Sequence, residues 1–129
     1  MTKVTLTDKE SDHMVKIVQW LERATGDVKW WFHVPNEGAT TQARGARLKK
    51  EGVKAGVSDL IFLRPANGYH FLAIELKPNR TRRVTPAQLE FIAEVKREGG
   101  WGEVTYGAKE TIEYIAKFYG LPTLGFTDW

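Results

Sequence analysis

Charged residues interrupt two short apolar runs at positions where charge is normally absent. Asp59 precedes the run 60–63, and Glu75 and Lys77 stand two residues apart at the end of the run 70–77. Apolar runs of this length predict buried strands, and a buried charge is costly unless a partner compensates it. A divalent metal ion held by the two carboxylates, beside the lysine ammonium, would compensate it. The pattern therefore indicates a metal site.

Hydrolysis of a phosphodiester is a reaction that suits such a site, because a metal polarises the phosphoryl oxygen and lowers the pKa of a bound water. Carboxylates are the hard oxygen ligands that Mg²⁺ prefers. Glu75 and Lys77 alternate onto one strand face, where the ammonium can orient the water or stabilise developing charge. The backbone carbonyl of Leu76 is a further candidate ligand. The alternative is a purely structural hairpin, with a Glu–Lys pair on its rim and an aspartate at the start of a strand.

The turn between the two runs makes this reading testable. Asn67-Gly68 predicts a two-residue hairpin turn, which would set Ala66 against Tyr69 and point Asp59 to the opposite face from Glu75. A shared metal site therefore requires a longer loop or a bulge in this hairpin.

Two more residues have both a structural and a functional interpretation. Thr7 with Glu10, and Thr85 with Gln88, each match a capping box at a helix start. Glu10 also lies on the apolar stripe of its helix. An equally good interpretation is therefore that it is a third carboxylate directed at the metal. For Gln88 the functional interpretation is that its side-chain amide contacts a metal-bound water or a phosphate.

Composition limits the classes of protein. The chain has 129 residues, 42% of them hydrophobic and 27% charged, as expected for a single globular domain spanning 1–129. It has no cysteine, so oxygen or imidazole ligands must hold any metal, which favours Mg²⁺ or Mn²⁺. No signal region or apolar stretch long enough for a membrane span is present. The expectation is a soluble, intracellular protein in the cytoplasm with no membrane partner.

Basic residues are clustered although the net charge is only +3. Such clusters neutralise nucleic-acid phosphates, but they are also common on solvated helices and loops. The candidate nucleic-acid contacts are Arg44, Arg47, Lys49, Lys50, Lys54, Arg80, Arg82 and Arg83.

Periodicity predicts an α/β fold, a small mixed sheet flanked by helices. The predicted helices run from Thr7 to Gly26, over 41–51, from Thr85 to Gly99 and over 108–119, and the predicted strands cover 28–34, 57–63, 70–77 and 103–106. The third helix is expected to bury Leu89, Ile92 and Val95. It connects the last two strands, which are therefore predicted to be parallel.

Histidines and tryptophans carry less information. His13 and His70 are expected at the surface. Trp30, Trp31, Trp101 and Trp129 suit either a packed core or an exposed subunit interface.

The combined motifs resemble the VRR-NUC domain of the PD-(D/E)XK nuclease superfamily, which includes the nuclease domain of the Fanconi-associated nuclease. The matching segments are 35–38, 52–60, 74–77 and Gln88, and the resemblance spans about residues 8–119. It implies a restriction-endonuclease-like αβββαβ core, dependence on Mg²⁺ or Mn²⁺, and cleavage of structured DNA. For stand-alone members it implies a homodimer that cuts four-way (Holliday) junctions.

The resemblance also implies roles for individual residues. Glu10, Asp59 and Glu75 match the metal ligands, Lys77 the catalytic lysine and Gln88 the motif glutamine. Glu10 is matched by its place in the helix alone. One departure is that Ser58 stands where the family usually has a proline; that proline coordinates nothing, so activity should survive.

Three hypotheses follow. The first is a metal-dependent endodeoxyribonuclease acting on branched or flapped DNA. The second is a non-catalytic nucleic-acid-binding module with a vestigial site. The third is an RNase or restriction-type nuclease of the same fold, because fold does not settle substrate.

Overall fold

The computed structural model describes residues 5–35 and 41–129. In chain order its elements are α1 (Glu10–Thr25), β1 (Trp31–His33), α2 (Gln42–Lys50), β2 (Leu60–Phe62), β3 (Leu72–Lys77), α3 (Pro86–Arg97), β4 (Trp101–Tyr106) and α4 (Gly107–Tyr119). The predicted order of elements is confirmed. The first three strands are shorter than predicted, and β4 begins two residues earlier, because it pairs with the whole length of β3.

The four strands form one mixed sheet in the order β1-β2-β3-β4. β1 pairs antiparallel with β2 across a long connection that contains α2, and β2 pairs antiparallel with β3 through a hairpin. β3 and β4 are parallel, with α3 as the crossover between them. The predicted parallel pair is thus confirmed.

The two faces of the sheet have different characters. Leu60 and Phe62 of β2 and the alternate residues of β3 are fully buried and pack with α1 and α4. The opposite face carries Ala73 and Gly102, against which α3 packs. A Cβ on Gly102 would lie 3.0 Å from Cγ2 of Ile92, so this glycine allows α3 to approach β4 closely.

The β2–β3 hairpin contains the bulge that a shared metal site requires. Ala66 pairs with Tyr69 around the two-residue turn, where Asn67 and Gly68 both have positive φ, 55° and 83°. Farther along, Phe62 pairs with Leu72, so the β2 side has one residue more than the β3 side between these pairs. Continuing this register places Asp59 opposite Glu75, on the same face.

The tryptophans and the tail pack mainly on the chain itself. Trp20 is fully buried and donates from Nε1 to the carbonyl of Pro122 at 2.9 Å. Phe126 of the tail is also buried. The ammonium of Lys16 lies 4.4 Å from the ring centre of Trp129, which is 52% exposed. The other candidates for an exposed interface are half-buried against the core: Trp30, Trp31 and Trp101.

Candidate metal centre

Three carboxylates from separate elements meet at one end of the sheet. Glu10 begins α1, Asp59 precedes β2 and Glu75 lies in β3, and one oxygen of each lies within 4.8 Å of the others. Asp59 and Glu75 are each 1% exposed, and Glu10 is half-buried. Three acids this close repel one another unless a proton or a cation lies between them. The structure thus brings together the three predicted metal ligands.

The predicted capping box between Thr7 and Glu10 is wrong. The residue before α1 is Lys9, and the helix has no side-chain cap. The Thr7 hydroxyl instead donates to the Asp12 carboxylate and accepts from the Lys9 backbone N–H at 3.1 Å. Because these contacts satisfy Thr7, the helix begins later than predicted. The Glu10 carboxylate is left to point at the other two acids.

His13, which was predicted at the surface, is 8% exposed and holds the first turn of α1 in place. The Ala108 N–H donates to its Nδ1 at 2.9 Å. Since a backbone N–H can only donate, Nδ1 is unprotonated and Nε2–H donates to the Thr7 carbonyl at 2.8 Å. His13 thereby connects the helix turn that contains Glu10 with the start of α4. His70 is exposed, as predicted.

Asp59 is fixed by backbone groups of two neighbouring strands. Its Oδ2 accepts from the Leu76 N–H at 2.8 Å. Its carbonyl accepts from the Val34 N–H at 2.7 Å and from Nδ1 of His33 at 2.9 Å. The carboxylate therefore has a defined orientation.

Glu75 is buried and has one oxygen without a hydrogen-bond partner among the described residues. That oxygen is Oε1, whereas Oε2 accepts from Nε2 of Gln88 at 3.3 Å. Burial, followed by contact with and repulsion from the Asp59 carboxylate, raises the pKa of Glu75 to about 9. A buried carboxylate oxygen without a donor is unfavourable. A divalent cation would satisfy it, so the donor set fits a hard metal ion.

Lys77 supplies the compensating charge with the largest effect on Glu10 and Glu75. It is half-buried and lies two residues after Glu75, on the same strand face. Burial and then the Asp59 charge raise the pKa of Glu10, and the positive charge of Lys77 opposes this shift. The same ammonium opposes the shift at Glu75. Lys77 therefore faces the acidic cluster, as its position in the strand predicts.

Gln88 forms the capping box predicted for it, and it also contacts Glu75. With Thr85 it forms a complete capping box, accepting from the Thr85 N–H at 2.9 Å through Oε1. Its Nε2 remains to donate to Glu75. The expected buried face of α3 needs correction, because Leu89 is 55% exposed. Gln88 is buried instead, since the first turn of α3 directs it at β3; Ile92 and Val95 are buried as expected.

The glycine loop before Asp59 packs tightly against α3. A Cβ on Gly56 would lie 2.4 Å from the backbone carbonyl carbon of Ala87, and the φ of Gly56 is +80°. Both features exclude a side chain at this position. Gly56 therefore seats the loop 52–56 beside the turn that carries Gln88.

The predicted DNA-binding residues are all exposed, but their charges are not equally available. Arg47 pairs with Glu51 at 3.1 Å. Arg80 pairs with Glu110 and lies 4.5 Å from the ring centre of Tyr106. The remaining exposed basic residues of the prediction are Arg44, Lys49, Lys50, Lys54, Arg82 and Arg83.

Some of these cations belong to α2, a helix with no buried residue. Arg82 instead donates to the Asp8 carbonyl at 3.3 Å, which ties its loop to the segment before α1. Asn36, Glu37 and Gly38, part of the family resemblance, lie outside the described residues.

The comparisons with known proteins agree with this geometry. The family model of the VRR-NUC domain matches residues 8–109. A solved structure described as a "VRR_NUC domain protein" superposes with a TM-score of 0.75 at 28% identity, covering 87% of this chain and 88% of its own. No curated protein sequence gives a significant match. None of the helices in 5–35 and 41–129 has the length and apolarity to cross a membrane. With the mixed sheet and the acidic cluster already described, these matches show that the chain belongs to the VRR-NUC family of nuclease-type domains.

Proposed function

We propose that the protein is a metal-dependent endonuclease that hydrolyses phosphodiester bonds in structured DNA, such as four-way junctions or flaps. The observation that carries the proposal is the cluster of Glu10, Asp59 and Glu75, in which a buried carboxylate oxygen has no donor among the described residues. A structural ion pair would place a cation beside each acid. Here the half-buried Lys77 provides the largest opposing charge at both Glu10 and Glu75, and the acids themselves lie within 4.8 Å of one another.

Mg²⁺ or Mn²⁺ is the proposed cofactor, held by the carboxylates of the three acids and by the Leu76 carbonyl. The Leu76 N–H points toward Asp59, and in a strand the N–H and C=O of one residue point to the same side. The carbonyl of Leu76 is therefore directed toward the cluster. A bound divalent ion supplies Lewis-acid polarisation of the phosphoryl oxygen and an acidic water.

Lys77 and Gln88 are the proposed catalytic side chains. Lys77 places a positive charge on the strand face of Glu75, where it would stabilise the charge that develops on the phosphoryl oxygens. Gln88 holds the orientation of Glu75 through its Nε2 and is itself held by the α3 cap. A side chain fixed at both ends loses little entropy when substrate binds.

The proposed DNA-binding surface consists of the exposed basic residues on α2, the loop after it and the loop after β3. Lys49, Lys50, Lys54 and Arg83 form no ion pair with another described residue. To bind phosphate, Arg47 and Arg80 would first have to give up their ion pairs with acidic residues. This cost lowers their net contribution to the affinity for DNA. Binding through these residues should weaken steeply with salt.

A homodimer is the assembly proposed for junction cleavage, because two symmetric nicks require two active sites related by a twofold axis. The family resemblance supports this proposal. Sedimentation of the free protein and of its DNA complex would test it, and a monomer in both conditions would remove it.

The deciding experiment is cleavage of a labelled four-way junction, a flap, a linear duplex and an RNA duplex in Mg²⁺, Mn²⁺ or EDTA. Wild type is compared with Asp59→Ala and with Glu113→Ala, an exposed acid on α4, as control. Metal-dependent nicks in the branched DNA that only Asp59→Ala abolishes are expected. Tight binding without cleavage would favour the non-catalytic binding module, and cleavage of RNA alone would favour the RNase.

A further inference from the structure

One row of the sheet runs beside the acidic cluster. Phe32 lies opposite Ile61, Ile61 opposite Ala73, and Ala73 opposite Gly102. Residues that lie opposite one another share a sheet face. Asp59 is two residues from Ile61 and therefore projects from this face as well. Phe32 thus shares a sheet face with Asp59 and with Glu75, which is two residues from Ala73.

Helix α3 covers only part of this face. Ala73 is fully buried, and Ile92 packs onto Gly102. At the other end of the row Phe32 is 43% exposed and Ile61 is half-buried. A single exposed apolar side chain is common on protein surfaces. An exposed aromatic ring on the same sheet face as two of the three clustered carboxylates, Asp59 and Glu75, is a more specific arrangement.

The spacing between Phe32 and the cluster suits a nucleotide. Ile61, the neighbour of Phe32, is about 6.6 Å along β2 from Asp59, the rise of two strand residues. A phosphate at the cluster would therefore place the adjoining nucleotide within reach of Phe32. Aromatic side chains bind such bases by stacking, and they do so without sequence preference, because every base has a π-face.

We propose that Phe32 stacks on an unpaired base next to the phosphate that is cut. This inference rests on the proposed nuclease function and adds a reason for selecting structured substrates. In a duplex both faces of a base are covered by its neighbours, so a stacking residue gains little there. At a flap or branch point a base is splayed and Phe32 replaces the missing neighbour. A second protein copy is a poorer occupant, because it would crowd a cluster that must admit DNA.

The test measures binding by fluorescence anisotropy, with Ca²⁺ in place of Mg²⁺, to a single strand, a flap and a linear duplex. The variants are Phe32→Ala, Phe32→Leu and Phe32→Tyr, and Leu124→Ala serves as a control that removes an apolar side chain of similar exposure, 50%, from the tail. Thermal unfolding of each variant confirms folding. Phe32→Ala and Phe32→Leu are expected to weaken single-strand and flap binding by about 5- to 100-fold. Duplex binding should change by less than about twofold, and Phe32→Tyr should restore the wild-type affinity because it keeps the ring.

Three results would overturn the proposal. One is unchanged flap binding in Phe32→Ala. Another is flap binding of wild-type affinity in Phe32→Leu, which would indicate apolar contact without stacking. The third is a wild-type dimer that Phe32→Ala converts to a monomer in sedimentation, which would make Phe32 a subunit contact. If wild type cuts no DNA while Phe32→Ala still loses single-strand binding, the nuclease proposal fails and the stacking remains. If wild type cuts DNA and Phe32→Ala binds normally, the stacking alone fails.

Discussion

The side-chain amide of Gln88 donates to Oε2 of Glu75 at 3.3 Å while its carbonyl closes the cap of α3. One residue thus connects the start of a helix to a fully buried acid of the cluster. Gln88→Ala should remove both contacts, whereas Gln88→Glu keeps a cap acceptor and places a fourth acid at the site. Both variants are expected to lower the rate of cleavage, with Gln88→Glu retaining more of the helix stability. Cleavage rates and urea unfolding, measured together, separate the two contacts, and equal stability losses would contradict the cap assignment.

The raised pKa of Glu75 gives the metal-free protein a defined pH dependence. Its carboxyl is raised from an ordinary value of 4.5 to about 9, so the folded state binds a proton that the unfolded state releases. The stabilisation is fully present below the unfolded pKa and is lost as pH rises through the folded pKa. In EDTA the free energy of unfolding should therefore fall between about pH 5 and 9. Glu75→Gln should flatten this slope, while Glu94→Gln, at an exposed helix pair, should not.

A divalent ion should reverse that loss of stability. Binding to the folded state alone stabilises by about 2.7 kcal/mol at an ion concentration of 100 times Kd. We expect Mg²⁺ or Mn²⁺ to raise the melting temperature at pH 8 more than at pH 5.5, because protons compete for the same carboxylates. Asp59→Ala should lose most of the increase. An equal increase in wild type and Asp59→Ala would show that the ion binds elsewhere.

The sequence predicted the acidic cluster better than it predicted the supports around that cluster. Asp59, Glu75 and Lys77 were found because charge in an apolar strand is anomalous, and strand parity then required the bulge that the hairpin contains. His13 was missed because its burial depends on Ala108, which is 95 residues away. The cue that was available is its place among the buried α1 residues, beside Met14.

Errors at Leu89 and Thr7 have the same physical origin. Local patterns identified apolar periodicity and cap residues, but they could not specify which face of α3 meets the sheet. The buried face begins at Gln88 because its side chain reaches Glu75, a tertiary contact. The Thr7 hydroxyl forms its hydrogen bonds with Asp12 and with the backbone of Lys9. The sequence pattern alone does not distinguish this arrangement from a capping box with Glu10.

His13 should act on metal binding through the position of Glu10. His13→Ala leaves the buried Ala108 N–H without an acceptor, at a cost of about 1–3 kcal/mol. Asn at this position keeps an acceptor close to that of Nδ1, so His13→Asn should retain part of the stability. We expect His13→Ala to weaken Mn²⁺ binding, measured by calorimetry, as well as to destabilise the fold. Unchanged Mn²⁺ affinity in a destabilised variant would limit His13 to a structural role.

Ser58 offers a stabilising substitution. It is fully buried, and its hydroxyl has no hydrogen-bond partner among the described residues. An unpaired buried hydroxyl costs about 1–3 kcal/mol. Ser58→Ala should therefore raise the free energy of unfolding and leave cleavage unchanged, because residue 58 projects to the opposite face from Asp59. A loss of stability in urea unfolding would instead show that the hydroxyl has a partner in solution.

Gly56 and Gly52 form a matched pair for testing how the loop before Asp59 is held. Both have positive φ, +80° and +95°, but a Cβ on Gly52 meets nothing within 4 Å, whereas one on Gly56 lies 2.4 Å from the Ala87 backbone. Gly52→Ala should cost only the strain of the left-handed backbone, about 1–2 kcal/mol. Gly56→Ala adds a clash with backbone that cannot rotate away, so it should destabilise more. It should also lower cleavage by moving Gln88, the next residue of that turn. Equal losses of stability in the two variants, with equal activity, would mean that the loop and α3 separate easily and that Gly56 does not seat the site.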